Sequence, residues 1–225
     1  MVNKTREGKQ TLLKNGYLSI TAMVMMVSLF IVGCGNGTIS EVEHAAYISV
    51  NENSQYEKTF KDLNLGILYD YNLKVNNADK SWVNVWVEGY QNGEKVDPFH
   101  LTELSYGQSP NQVNEGSLVF GIINPNSEDA SIFISSPSGE VHRVLQPTGI
   151  KDGIFKKGMG STWGYAIGSE PIALESGETK IIGVYRQANS FRTYDYQDMD
   201  SIDRMINEDK GLLLLKIKVE ERIEP

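Results

Sequence analysis

From Ile67 onward the chain alternates. Ile67, Tyr69, Tyr71, Leu73 and Val75 are separated by Leu68, Asp70, Asn72 and Lys74, and a period of two predicts a half-buried β-strand. A second stretch, from Trp82 to Tyr90, sets Val83, Val85 and Val87 against Trp82, Asn84, Trp86, Glu88 and Tyr90. Asn92-Gly93 follows, a pair suited to a type I′ hairpin turn because both residues tolerate positive φ. Lys95 and Val96 then begin the return strand. Shorter strands are predicted over 117–124, 131–135, 141–145, 163–167, 172–174, 179–185 and 212–219, separated by turn clusters such as Pro125-Asn126-Ser127, Pro137-Ser138-Gly139 and Ser176-Gly177-Glu178. One short helix is predicted over 200–207, where Met199, Ile202, Met205 and Ile206 recur at helical spacing. Asp200 is its expected cap, with Asp198 and Asp203 near its positive end. Many short strands with Gly and Asn turns define an all-β protein, an antiparallel β-sandwich. Immunoglobulin-like topology is the expected variant, although neither a tyrosine corner nor the Cys-Trp-Cys pattern is recognisable.

The N-terminus follows a different pattern. Lys4, Arg6, Lys9 and Lys14 precede an uncharged run from Asn15 to Gly33 that is rich in Leu, Ile, Val and Met. A basic region followed by an apolar one describes an export signal, with a membrane-spanning helix as its rival. The single cysteine falls where the apolar run ends. Ile31-Val32-Gly33-Cys34 resembles the bacterial lipobox: an aliphatic residue, a tolerant position, a small residue and Cys. The resemblance implies cleavage before Cys34 and a diacylglyceryl group on its thiol. Two acyl chains hold a protein on a membrane where one does so only marginally. The expected organisation is a signal peptide over 1–33, a lipidated Cys34 with a small, polar tether over 34–46, and one β-sandwich domain over 47–225. The expected location is the extracytoplasmic face of the cell membrane. Past Cys34 the chain has no thiol, so no disulfide staples the domain.

Charge narrows the partners. The chain carries −8, and residues 1–33 hold four basic side chains and one acid, which leaves −11 for the rest. An acidic domain repels nucleic acid and anionic headgroups. Nucleic acid is therefore not an expected partner; the membrane is reached through lipid. The domain also resembles a group of small uncharacterised lipoproteins of Gram-positive bacteria, through Trp86-Val87-Glu88-Gly89-Tyr90, Leu104-Ser105-Tyr106-Gly107, Trp163-Gly164-Tyr165-Ala166-Ile167-Gly168 and Gly183-Val184-Tyr185-Arg186. That resemblance implies an address and no activity.

Candidate chemistry is sparse. His44, His100 and His142 have no metal-ligand spacing, and a copper site from His100, His142 and Met159 has only the residue types in its favour. Asp195, Asp198, Asp200 and Asp203 fail the calcium-loop pattern, because Asp203 stands where the loop needs Gly. Ser161 lies in the glycine-rich run Gly158-Met159-Gly160-Ser161-Thr162, which lacks the ending of a phosphate loop. Acids are too plentiful for any pair to signal glycoside hydrolysis. No metal, cofactor or catalytic residue is expected.

One surface stands out. If Val83, Val85 and Val87 point inward, then Trp82, Trp86 and Tyr90 share the outward face beside Asn84 and Glu88. Rings in a row beside hydrogen-bonding groups suit a protein or glycan partner. The alternative is a strand covered on both faces, for example by 51–65 or by the helix near Ile202. The expected function is a membrane-anchored binding or interaction module at the cell surface. A cell-envelope hydrolase with an unrecognised site is the rival; the solute-binding subunit of a transporter fits poorly, since two-lobed binding proteins are longer.

Overall fold

The computed structural model describes residues 44–125, 127, 130–137, 146–147 and 158–222. The signal, Cys34, most of the tether, the 141–145 strand and His142 lie outside the described residues. In chain order the elements are β1 (Ala46–Val50), α1 (Gln55–Asp62), β2 (Gly66–Val75), β3 (Ser81–Gln91), β4 (Glu94–Gly107), β5 (Asn114–Ile123), β6 (Ser131–Ser135), β7 (Gln146–Pro147), β8 (Gly160–Tyr165), β9 (Ile172–Leu174), β10 (Thr179–Ala188), α2 (Met199–Glu208) and β11 (Gly211–Glu221).

The strands form two antiparallel sheets. One runs β7-β6-β5-β2-β1-β9 and the other β4-β3-β11-β10-β8. The alternation read from the sequence sets which side chains meet between them. Ile67, Tyr69, Tyr71, Leu73 and Val75 from the first sheet pack against Val83, Val85, Val87, Leu213, Leu215, Ile217 and Val219 from the second, all buried. The Asn92-Gly93 turn joins β3 to β4 with φ of 51° and 88°, the double positive that type I′ requires. The all-β sandwich is thus as expected. Its sheets have six and five strands, and the last strand, β11, lies between β3 and β10.

The core is unusually rich in phenols. Tyr69 and Tyr71 reach across it, donating hydrogen bonds to the Val184 and Ile182 carbonyls of the opposite sheet at 2.7 and 2.8 Å. Burial pushes both phenols well up from their ordinary value, so they remain neutral donors. Tyr165 packs edge-on against both rings. Gly183 makes the crossing possible, because a Cβ there would sit 2.8 Å from the Tyr71 hydroxyl.

A second apolar cluster lies on the outer face of the β3–β11–β10 sheet. There α2 lays Ile202 and Met205 over Tyr90, Val184, Leu212 and Leu214. Its N-cap is Asp198, whose side chain accepts from the Ser201 N–H at 2.9 Å, and not Asp200, which lies in the first turn. Beyond its C-terminus, Asp209 pairs with the buried Arg186 through two hydrogen bonds of 2.6 and 3.0 Å. The Arg186 guanidinium also donates to the Arg192 carbonyl at 3.2 Å and stacks on Tyr194. One ion pair therefore ties together β10, the segment after it and the end of α2.

Three features depart from the sequence reading. A second helix, α1, is present within 51–65, a stretch for which no element was predicted. It buries no residue: Tyr56, Phe60 and Leu63 recur at helical spacing, yet Tyr56 and Leu63 stay exposed and Phe60 packs against Phe133. A further local signal is Ser54-Gln55-Tyr56-Glu57, a capping sequence in which Ser54 accepts from the Glu57 N–H at 3.0 Å. The sandwich also begins earlier than the tether was expected to end. Ala46 pairs with Val75 and Leu174, Ala45 is buried, and the His44 ring lies 2.7 Å from Glu175. Finally, β8 runs over Gly160–Tyr165, starting three residues before the predicted 163–167 strand.

Candidate functional site

The aromatic residues singled out on β3 do share one face, but they do not form a row of rings in water. Trp86 is 9% exposed and Tyr90 8%. Both donate to the Glu88 carboxylate between them: the Trp86 indole N–H at 2.9 Å and the Tyr90 hydroxyl at 3.0 Å. Lys216, on the neighbouring β11, reaches the same carboxylate at 2.7 Å. Burial by itself raises the Glu88 pKa. The Lys216, Trp86 and Tyr90 hydrogen bonds and the Lys216 charge outweigh it, so the group is held below its ordinary value. His100 of β4 flanks the Trp86 ring at 5.7 Å between centroids and lies 3.0 Å from Glu103. This is a satisfied polar cluster within the wall of the domain, and the expectation of Trp86 and Tyr90 as open contact residues is corrected accordingly. Tyr90 is covered because α2 packs on it.

Trp82 differs. It is half-buried, at the end of the sheet beyond α2, and it lines a cleft of about 600 Å³ with Asn77, Asp79, Lys80, Ser81, Gln108, Glu221 and Arg222. Its ring lies against the backbone of its β4 partner Gly107, where an added Cβ would come within 2.6 Å of the indole. The Arg222 guanidinium covers the ring at 4.8 Å. A cation stacked on an aromatic face is held in place while its N–H edge stays open for a ligand. The Arg222 backbone N–H donates to the Lys80 carbonyl at 2.9 Å, which brings two cationic residues to one wall. Neither side chain has a carboxylate partner among the described residues.

The opposite charge is present as well. Glu221 accepts from the Asn77 amide at 3.4 Å, and the Oδ1 oxygen of Asp79 is buried with no hydrogen-bond partner. A second hollow of about 330 Å³ shares Ser81 and Gln108 with the first, and its wall includes Tyr106, whose buried hydroxyl is likewise unpartnered. Buried polar atoms nearly always find partners in a folded chain. Two that do not, on adjoining hollows, mark a place where an added molecule would be held by hydrogen bonds. Asn77 and Gln108, at the rim, have left-handed backbone with φ of 46° and 53°. Such conformations cost energy in residues other than glycine and gather at functional sites. Asn77, Asp79, Lys80, Gln108 and Arg222 sit in turns or at a strand end, where no periodicity announces a role; of the cleft, only Trp82 was signalled by the sequence.

The remaining candidates are placed as follows. Asp195, Asp198, Asp200 and Asp203 lie at the start of α2 or just before it, with Asp198 as its cap. Ser161 is in β8, half-buried and paired with Gln187 of β10. Among the described residues, no three His, Cys, Asp or Glu side chains are grouped to hold a metal ion. No family model, curated protein or solved structure matches the chain.

Proposed function

We propose that this chain is a lipoprotein: a β-sandwich binding module tethered through a diacylglyceryl group on Cys34 to the extracytoplasmic face of a cell membrane. Its contact site is the cleft around Trp82. The lipobox-like Ile31-Val32-Gly33-Cys34 after a basic and then an apolar segment supports the address. The observation that carries the binding reading is the Trp82–Arg222 stack beside the unpartnered Asp79 oxygen. These groups are arranged for non-covalent recognition of a polar partner, protein or glycan. The address is tested by intact mass on membrane-extracted protein, with Cys34→Ser accumulating as unprocessed precursor; an unlipidated mature chain would sink it. The site is tested with a photo-crosslinker at Gln108 in intact cells. A discrete adduct that disappears in Trp82→Ala supports the cleft, and an adduct indifferent to that change removes it.

A second reading has one observation in its favour. Asp79 and Glu221 place two carboxylates on the same cleft, and paired carboxylates are the machinery of glycoside hydrolysis. A cell-envelope hydrolase would lose turnover in Asp79→Asn while still binding its polymer. A binding module has no turnover to lose.

A further inference from the structure

A separate hollow of about 400 Å³ opens where the turn before β2, the turn after β5 and the edge strand β8 meet. We infer that this hollow is a subsite for a neutral sugar ring, stacked on Trp163. Trp163 is 50% exposed, the one tryptophan of the chain's three that presents so much of its indole to water. The apolar C–H face of a pyranose packs on such a surface, and the ring contributes large contact area at little entropic cost.

The rest of the wall fits the hydroxyls. Asn64 and Asn124 line the hollow, and neither side-chain amide has a hydrogen-bond partner among the described residues. An amide offers a donor pair and an acceptor together, which is what a vicinal diol requires. Both asparagines have left-handed backbone, with φ of 51° and 50°, and the Asn124 N–H donates to the Leu65 carbonyl at 3.1 Å. The two turns are thereby locked to each other, and the amides are presented on a fixed frame, which lowers the cost of binding. Leu65 adds apolar surface beside the indole.

Charge decides the class of sugar. Among the described residues, the lining is Asn64, Leu65, Gly66, Ile67, Asn124, Pro125, Ser127, Ser161 and Trp163, without one ionisable group, in a chain of net charge −8. None of these residues neutralises a uronate, sulfate or phosphate, and the acidic domain repels them. The volume is within the range that holds small ligands, enough for a ring or two.

The test uses the full-length chain in detergent and a panel of neutral oligosaccharides (β-glucan, mannan and N-acetylglucosamine oligomers), with oligogalacturonate as the anionic control. Tryptophan emission and calorimetry are read together. The expected result is saturable binding of at least one neutral oligomer with a change in emission. Trp163→Ala should weaken it about tenfold or more, the size expected for a lost stacking contact. Trp163→Phe should retain part of the affinity, and thermal melts of both variants should match the parent. Trp82→Ala should leave this binding intact, which separates the hollow from the cleft proposed above. No binding across the neutral panel overturns the inference, as does equal binding of oligogalacturonate or unchanged affinity in Trp163→Ala.

Discussion

Trp82 and Trp86 stand four residues apart on the same face of β3, and they live in different solvents. The Trp86 indole is enclosed, its N–H spent on Glu88. The Trp82 ring is half open, lying under Arg222 at the edge of a cleft. Local sequence treats them alike: each is an aromatic followed by valine on an alternating strand. What separates them is remote in the chain. Lys216 arrives from β11 to neutralise Glu88, His100 flanks the ring from β4, and α2 covers Tyr90. None of these reaches the end of the sheet where Trp82 sits. A sheet face is therefore core or surface according to what lies over it, and the strand's own pattern fixes only which residues share the face.

The covered half depends most on the ion pair that fastens α2. Arg186 and Asp209 are both buried and form an ion pair. Removing one partner of such a pair strands the other in low dielectric, at about 3–5 kcal/mol. Arg186→Ala and Asp209→Ala should each lose about that much by urea unfolding. If α2 is what encloses Tyr90, these variants should also expose it to solvent, read as faster hydrogen exchange at Tyr90 and Leu212. Full stability in both variants would show that α2 is held by its apolar contacts alone.

Next comes Trp86 itself. Trp86→Ala should cost about 3 kcal/mol, at the low end for a buried aromatic because some of its edge is wet. Val85→Ala, on the opposite face, should cost less only in proportion to its smaller side chain. A Trp86→Ala melt indistinguishable from the parent would return the residue to the surface and erase the contrast with Trp82.

How much of this was visible in the chain can be judged from β2 and β3. The inward sets Ile67–Tyr69–Tyr71–Leu73–Val75 and Val83–Val85–Val87 were legible, because a two-residue period has one physical reading when one phase is apolar. The outward phase was not. Leu68 and Asp70 on β2 are buried although they alternate with the core, since α1 packs beside that strand. That helix has no buried residue, and its apolar stripe, Tyr56, Phe60 and Leu63, spans only two turns. Glu88 likewise reads as a solvated charge until Lys216, more than a hundred residues later, is placed against it. The cleft is harder still: it is assembled from a turn, a strand end and the residue after β11, with no repeat for a pattern to reveal.

Glu88 sharpens the comparison through pH. Its folded pKa lies below its ordinary value of 4.5, so the carboxylate favours the folded state. For a depressed acid that contribution is complete above the ordinary value and is lost as pH falls through the depressed one. Glu88→Gln should cost about 2 kcal/mol at neutral pH, the scale of a hydrogen-bonded charge. It should also flatten the loss of stability on acidification below pH 4.5. A variant that follows the parent's acid profile unchanged would show that Glu88 does not carry this pH dependence.

The smallest effect on stability belongs to Trp82, and there the comparison bears on function. Its ring packs on Gly107, lies under Arg222 and is otherwise open to the cleft, so Trp82→Ala should remove less than about 1 kcal/mol, as for surface substitutions generally. Arg222 would lose its stacking partner and swing free, since the pair is worth only about 0.5–1 kcal/mol at an exposed site. Binding should respond in the opposite proportion. The guanidinium edge that Trp82 holds over the cleft is the group positioned to meet a partner, and an unpositioned arginine must be ordered by the ligand at the moment of contact. Thermal melts and crosslinking yield from Gln108, measured on Trp82→Ala and Trp86→Ala together, should therefore cross over. Trp86→Ala lowers the melting temperature and spares the adduct at temperatures where the domain is folded; Trp82→Ala spares the melt and loses the adduct. If both variants destabilise alike and neither changes the adduct, the two ends of β3 are one continuous wall, and the cleft has no claim to function.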